Sequence, residues 1–361
     1  MSPAAYIYRA AGNVLHPLMP GPDIPLTGAV SSATASATVT ATAPVAGAQK
    51  LVMGMYNNCS VTLADGWNGS GWPSDSAPAY REIANAYLYD PVNRKVRRDF
   101  AGTGIVSNLA NTGQAGSQDV ANGCVPYVSC NPDPNALIAG TYDAQITSWA
   151  QSMPAGSYMT IWHEFESPKK AFITNRPLFV TMFRHFYTIA KAANANVIIG
   201  PSSLVYQYGP GRPSETNPQE WYVGDAYCDI LTADTYWIGN DPVTDIYSTV
   251  ANGHKAWHDA NSIHGKPLGL TEWGMTYIDR TPAPQVTDAE GAQIIDSSMP
   301  WLAANGYRLL LWWNGYQSNA GVQDYNLTPT KATGSQRPLS LAAWNRALQT
   351  YGATTSDIRG L

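Results

Sequence analysis

Tyr158–Glu164 reads Y-M-T-I-W-H-E, and the reading of this stretch decides the fold. It has the length and the aromatic and β-branched content of a short strand, and it ends in a histidine and a carboxylic acid. Working outward, seven more runs of the same kind appear: Leu51–Asn57, Lys95–Phe100, Cys124–Ser129, Val197–Ser203, Asp229–Thr235, Pro267–Glu272 and Tyr307–Trp313. Helix-length amphipathic segments alternate with them, at Asn135–Ser152, Arg176–Asn194, Asp241–Ala260, Thr287–Asn305 and Leu339–Tyr351. Arg176–Asn194 places Phe179, Met182, Phe183, Phe186 and Ile189 at spacings of three and four, one helical face. Thr287 followed by Glu290 is a capping-box start. Strands alternating with helices in this way predict an α/β fold, a (β/α)₈ TIM barrel with parallel strands. A doubly wound open sheet is the alternative, but no Gly-rich phosphate loop follows the first strand.

The chain has 361 residues and a net charge of −5, room for one barrel and an N-terminal extension. Residues 1–49 read as the extension: a Pro- and Gly-rich start, then the uncharged Ala/Thr-rich linker or edge strand Thr27–Ala48. Residues 50–361 read as the catalytic barrel. The net charge is negative, so no nucleic-acid partner is expected. No apolar run is long enough to span a bilayer, so no membrane insertion is expected. The first twenty residues lack the apolar centre of a signal peptide. Twelve Trp and 21 Tyr stand against 6 Phe, a bias toward rings that stack on sugar C–H faces and present a polar tip to hydroxyls. An aromatic-rich core is the plainer explanation of the same bias. Cys59, Cys124, Cys130 and Cys228 show no C-x-x-C spacing and no histidine cluster, so neither a metal nor an organic cofactor is expected. A Cys59–Cys130 disulfide and four buried thiols are both open.

In such a barrel the active site is built at the C-terminal ends of the strands. The fourth run ends in Trp162-His163-Glu164, the sixth in Asp234-Thr235-Tyr236-Trp237, the seventh in Glu272-Trp273 and the eighth in Trp312-Trp313. Two carboxylic acids facing each other amid aromatic rings are what glycosidic hydrolysis requires: one protonates the leaving oxygen, the other works on the far side of the sugar. A single Glu at a strand end is more often a rim or salt-bridge residue, and it is the pair that carries the reading.

The pairing of W-H-E-F-E on the fourth strand with L-T-E-W-G on the seventh resembles the large clan of retaining (β/α)₈ glycosidases. The His-Glu dipeptide and Asp234-x-Tyr236 are most similar to glycoside hydrolase family 26, which contains β-mannanases. The chain departs from that family at the end of the third strand, where Ser129-Cys130 stand in place of a histidine. The resemblance spans residues 50 to 350 and implies Glu164 as general acid/base and Glu272 as nucleophile. It also implies His163 and Tyr236 around the cleaved sugar and Trp313 as the platform beneath it; strand neighbours alternate, which turns Trp312 toward the outer helices. Glu166 shares strand parity with Glu164 and competes for the acid role. Trp67 and Trp72, in a Gly-rich loop after the first strand, are candidates for outlying subsites. Asp99, Trp237 and Trp273 are further candidates for the mouth.

The expected function is therefore a retaining, endo-acting glycosidase on a β-linked polysaccharide, of mannan type or from a bacterial envelope. A non-catalytic carbohydrate-binding adhesin on the same scaffold is the alternative. The Ala/Thr-rich linker is similar to those of phage tail proteins. An extracellular or virion-associated enzyme, attached to a larger assembly through residues 1–49, is the corresponding expectation.

Overall fold

The computed structural model describes residues 8–11, 14–17, 50–58, 96–100, 125–166, 172, 175–208, 217–237, 250–261, 265–277, 286–317, 323–324, 327 and 337–353. The chain divides into two compact units, Met1–Thr42 and Ala43–Leu361. The first holds an antiparallel hairpin, β1 (Tyr8–Ala11) with β2 (Val14–Pro17), where no strand periodicity was evident. The legible signal was Gly12-Asn13 between them, a dipeptide suited to two-residue hairpin loops.

The second unit is built on β3 (Val52–Asn58), β4 (Val96–Phe100), β5 (Val125–Cys130), β6 (Tyr158–Ile161), β7 (Ile198–Ile199), β8 (Ser202–Leu204), β9 (Leu231–Trp237), β10 (Leu268–Met275) and β11 (Tyr307–Gln317). They pair in the order β7-β6-β5-β4-β3-β11-β10-β9-β8, every pair parallel. A short β12 (Gln323–Asp324) adds antiparallel to the end of β11. β7 and β8 are the two halves of one expected strand, parted at Gly200-Pro201. One half pairs with β6 and the other with β9, so both ends of the sheet belong to a single stretch of chain. The fold is a (β/α)₈ barrel.

Helices α1 (Pro134–Ile138), α2 (Asp143–Ser152), α3 (Arg176–Ala193), α4 (Pro218–Trp221), α5 (Ala256–Ala260), α6 (Asp288–Ala304) and α7 (Pro338–Tyr351) lie between or after the strands. The single helix expected over 135–152 is two, because Gly140 adopts φ +79° between them and turns the chain out of α1. In α3, Phe179, Met182, Phe183 and Phe186 are all fully buried, each contributing about 1.5–3 kcal/mol of transfer free energy. The expected capping box of α6 is present: the Thr287 hydroxyl accepts from Glu290 N, and the Glu290 carboxylate accepts from Thr287 N. Cys130 and Cys228 are free, buried thiols, so Cys130 forms no bridge to Cys59. Cys59 and Cys124 lie outside the described residues. Among those residues no helix is long and apolar enough to cross a membrane.

Ahead of α5 the chain makes a π-helical turn, Val250–Lys255, that buries His254. Its Nδ1 lies 3.1 Å from the Tyr307 hydroxyl. Burial, and then the nearby His258, push the imidazole down to about 3. Unfolded histidine titrates near 6.5, so in the window between about 6.5 and 3 the unfolded chain binds a proton that the native state refuses. His254 therefore favours folding above that window and loses its contribution as pH falls through it. The urea midpoint is expected to drop between pH 6.5 and 4, and His254→Gln to flatten that drop. A variant that follows the wild-type pH curve would assign the effect to other groups.

Candidate active site

Three carboxylic acids reach one place by three different local routes. The first, Glu164, follows β6. The strand stops at Ile161, short of the expected Glu164, because Trp162 and Glu164 take left-handed backbone angles of φ 52° and 50°. Left-handed non-glycine residues are uncommon and persist where surrounding contacts over-determine them. Here Trp162 N donates to Cys130 O at 2.8 Å, its Nε1 to Pro132 O at 2.7 Å, and Glu164 N to Ser202 O at 2.8 Å. The Trp162 ring meets Phe172 edge-on at 4.9 Å. His163, between the two left-handed residues, has Nδ1 3.0 Å from Ser129 Oγ. The serine that departs from the family 26 pattern thus supports this histidine.

The second acid, Asp234, points inward from β9, two residues before Tyr236 and on the same face. The third, Glu272, sits at a β-bulge. Along β10, Leu270 pairs with Ala233 but Glu272 already pairs with Asp234, so Thr271 is an extra residue. The pairing with β11 shifts at the same point. A bulge lets neighbouring residues serve one face. Thr271 donates to Asp234 Oδ1 and Glu272 accepts from the Tyr236 hydroxyl, both inside the barrel.

One carboxylate oxygen from each of Glu164, Asp234 and Glu272 falls within 4.8 Å of the other two. Asp234 is 1% exposed and Glu272 5%, so these two acids stand in surroundings of low dielectric, where like charges are costly unless hydrogen bonds compensate, while Glu164 is half-buried. Thr271, Ser202 and Tyr236 supply those hydrogen bonds. Burial, followed by the charges of Glu272 and Asp234, holds the Tyr236 phenol well above its ordinary range. It remains a proton donor to Glu272 throughout the physiological range. The spacing of the three acids is also one that a divalent cation could bridge.

Trp313 lies on the inward face of β11 with 8% of its surface exposed, and Trp312 beside it is fully buried on the helix side, as expected. Trp273 corrects an expectation. It does not reach the mouth: it is fully buried, edge-on to Trp312 at 5.2 Å and near Trp344 of α7 at 6.4 Å. As the strand neighbour of Glu272 it takes the opposite face. Glu166 also parts from Glu164. No strand runs between them, so parity does not relate them. Its carboxylate is fully buried, accepts from Leu204 N and lines a small cavity with Gln207, Tyr208, Trp221 and Trp257. Asp99 lies on β4 and Trp237 closes β9, while Trp67 and Trp72 lie outside the described residues. Asp234, legible only as part of a motif, is a full member of the cluster. Ser202 and Thr271 had no signal in the sequence, because no periodicity marks a bulge.

No protein-family model and no curated protein matches this sequence. Its fold does match solved structures. A monomeric β-xylosidase from Caulobacter crescentus aligns with a TM-score of 0.56 at 13% identity, over 87% of this chain and 70% of that one. A glycoside hydrolase family 26 β-mannanase from Bacteroides ovatus aligns at 0.51 and 14%, over 87% and 93%. A glucosidase from Croceicoccus marinus aligns at 0.53 and 13%, over 87% and 70%. The chain has the fold of the glycosidase barrels. At such identities the likeness concerns architecture, and the chemistry has to be argued from the carboxylates themselves.

Proposed function

We propose that this chain is a retaining glycosidase that cuts a β-linked polysaccharide internally, of mannan type or from a bacterial envelope, with Glu164 as acid/base and Glu272 as nucleophile. One observation carries the reading: Glu164 and Glu272 offer carboxylate oxygens within 4.8 Å of each other at the C-terminal mouth of the barrel. Retaining enzymes hold their carboxyl groups about 5–5.5 Å apart, inverting ones about 6.5–9.5 Å to admit a water. In the first step Glu272 bonds to the anomeric carbon while the glycosidic C–O bond breaks and Glu164 gives its proton to the leaving oxygen. In the second, water loses a proton to Glu164 and bonds to the same carbon, expelling Glu272 as carboxylate. The Tyr236 hydroxyl keeps Glu272 aimed, and the His163 ring, braced by Ser129, borders the cleaved sugar with Trp313.

The β-mannanase, β-xylosidase and glucosidase that share the fold suggest the first substrates to try. Reducing-end release would be followed on mannan, xylan, β-glucan, galactan and bacterial arabinogalactan. Proton NMR would read the first-formed anomer. Release with retained β-configuration and an early fall in viscosity is the expected result, and a first-formed α-anomer would overturn the retaining mechanism. No release from any glycan, with one still retained by the protein on a column, would favour the adhesin.

The placement of Glu166 yields a sharper expectation for the acid. Glu164→Gln should cost about 10²–10⁴-fold in turnover of a glycan with an unactivated leaving group. Glu166→Gln should stay within about tenfold of wild type, its effect appearing as lost stability. The reverse ranking in the same assay would transfer the acid role to Glu166. The extension 1–49, which includes the whole of the separate compact unit Met1–Thr42, is proposed to tether the barrel to an extracellular or virion assembly.

A further inference from the structure

Ser202, Thr271 and Asp234 come from β8, β10 and β9, and their side chains form one fully buried hydrogen-bonded group. Thr271 directs its only hydroxyl proton at Asp234 Oδ1. At the 2.6 Å contact between Ser202 Oγ and Thr271 Oγ1, Ser202 is therefore the donor, sharing its proton with the same Asp234 oxygen at 3.2 Å. Both hydroxyls thus converge on one carboxylate oxygen of Asp234. Ser202 has a second role through its main chain, since its carbonyl accepts from Glu164 N at 2.8 Å. A single residue thus holds the left-handed turn that carries one glutamate and the bulge that carries the other.

We infer that the Ser202–Thr271–Asp234 group is a positioning device that sets the separation of the Glu164 and Glu272 carboxylates; its catalytic meaning rests on the glycosidase reading above. The bulge is what lets Thr271 and Glu272 both face inward. Strand side chains alternate, so a slip of β10 back to regular pairing would send one of them to the outer face. The Thr271 hydroxyl, locked between Ser202 and Asp234, opposes that slip. None of the three residues needs to touch the bond being cleaved. Thr271 and Ser202 act through Asp234 and through the backbone of Glu164.

The test pairs crystallography with kinetics on Thr271→Val, which keeps the shape and removes the hydroxyl, and Thr271→Ser, which keeps the hydroxyl. In Thr271→Val the closest Glu164–Glu272 oxygen separation is expected to be wider than in the wild type, whose acids all fall within 4.8 Å of one another. On whichever of the polysaccharides named above the wild type cleaves, kcat should fall about 10²-fold with KM within about threefold of wild type. Thr271→Ser should recover both separation and kcat. If Thr271→Val does not fold, Ser202→Ala, which retains the main-chain carbonyl, gives the same two readouts. An unchanged separation in the hydroxyl-less variant overturns the inference, whatever the activity. A widened separation in a protein whose wild type releases no reducing ends from any of those polysaccharides would uphold the positioning and remove the glycosidase reading instead.

Discussion

Glu272→Ala is expected to lose turnover by about 10⁴-fold or more and to recover part of it in sodium azide. The large loss follows from the proposed mechanism, because among the described residues no other group is placed to bond to the anomeric carbon from that side. Glu164 is directed at the leaving oxygen, and Asp234 is held by the Thr271 and Ser202 hydroxyls. Truncation at the β-carbon leaves a space lined by Tyr236 that a small linear anion can enter. Azide there bonds to the anomeric carbon from the vacated side, and Glu164 still protonates the departing oxygen. The product is a glycosyl azide of inverted configuration that the variant cannot cleave further. Mass spectrometry would detect it, and NMR would assign its anomeric centre. Turnover by Glu272→Ala within about tenfold of wild type would take the nucleophile role away from this residue.

The second large effect falls on folding. Gly200→Ala is expected to lower stability by about 3–5 kcal/mol, or to prevent recovery of folded protein. A Cβ at position 200 would lie 1.8 Å from the carbonyl oxygen of Ile230 and 2.9 Å from its carbonyl carbon. The obstacle is backbone, so no rotamer change relieves it. That backbone is fixed on either side: Asp229 N donates to Ile199 O at 2.7 Å, and Thr232 N to Pro201 O at 3.2 Å. These contacts join β7 and β8 to the chain leading into β9, and with them the barrel closes. Separating them would open the ring and also displace Ser202, on which the Glu164 turn depends. Thermal unfolding followed by circular dichroism would show a fall of about 5–15 °C. A midpoint equal to wild type would mean that the closure can accommodate a methyl group.

Much of the architecture was legible in advance. The eight strand runs begin within a few residues of their expected positions, because a barrel strand buries a nearly continuous apolar stretch that stands out against its surroundings. Helices α3, α6 and α7 were legible through spacing and caps. The helix expected over 135–152 was not divided, since Gly140 reads as ordinary helix composition until its left-handed angle is known. Glu164 and Glu272 were singled out as strand ends, and Trp312 was assigned to the helix side by alternation. The same alternation, applied to Glu272 and Trp273, would have removed Trp273 from the mouth.

By itself, the sequence determined which residues are apolar in periods of two and of three to four, and hence the alternation of strand and helix. It also determined the order in which His163, Glu164, Asp234, Tyr236, Glu272 and Trp313 reach the strand ends. Those are properties of local chemistry along the chain. Only the tertiary structure decided that strand four stops at Ile161, that strand five breaks at Gly200-Pro201, and that Thr271 is an extra residue in β10. Each of these departs from regular geometry and is held by hydrogen bonds from a different part of the chain: Cys130 and Pro132 on Trp162, Asp229 on Ile199, Ser202 and Asp234 on Thr271. A bulge or a left-handed residue is unfavourable in its own segment and becomes stable only when distant partners meet it. No local pattern could therefore announce the three irregularities that bring the acids within reach of one another.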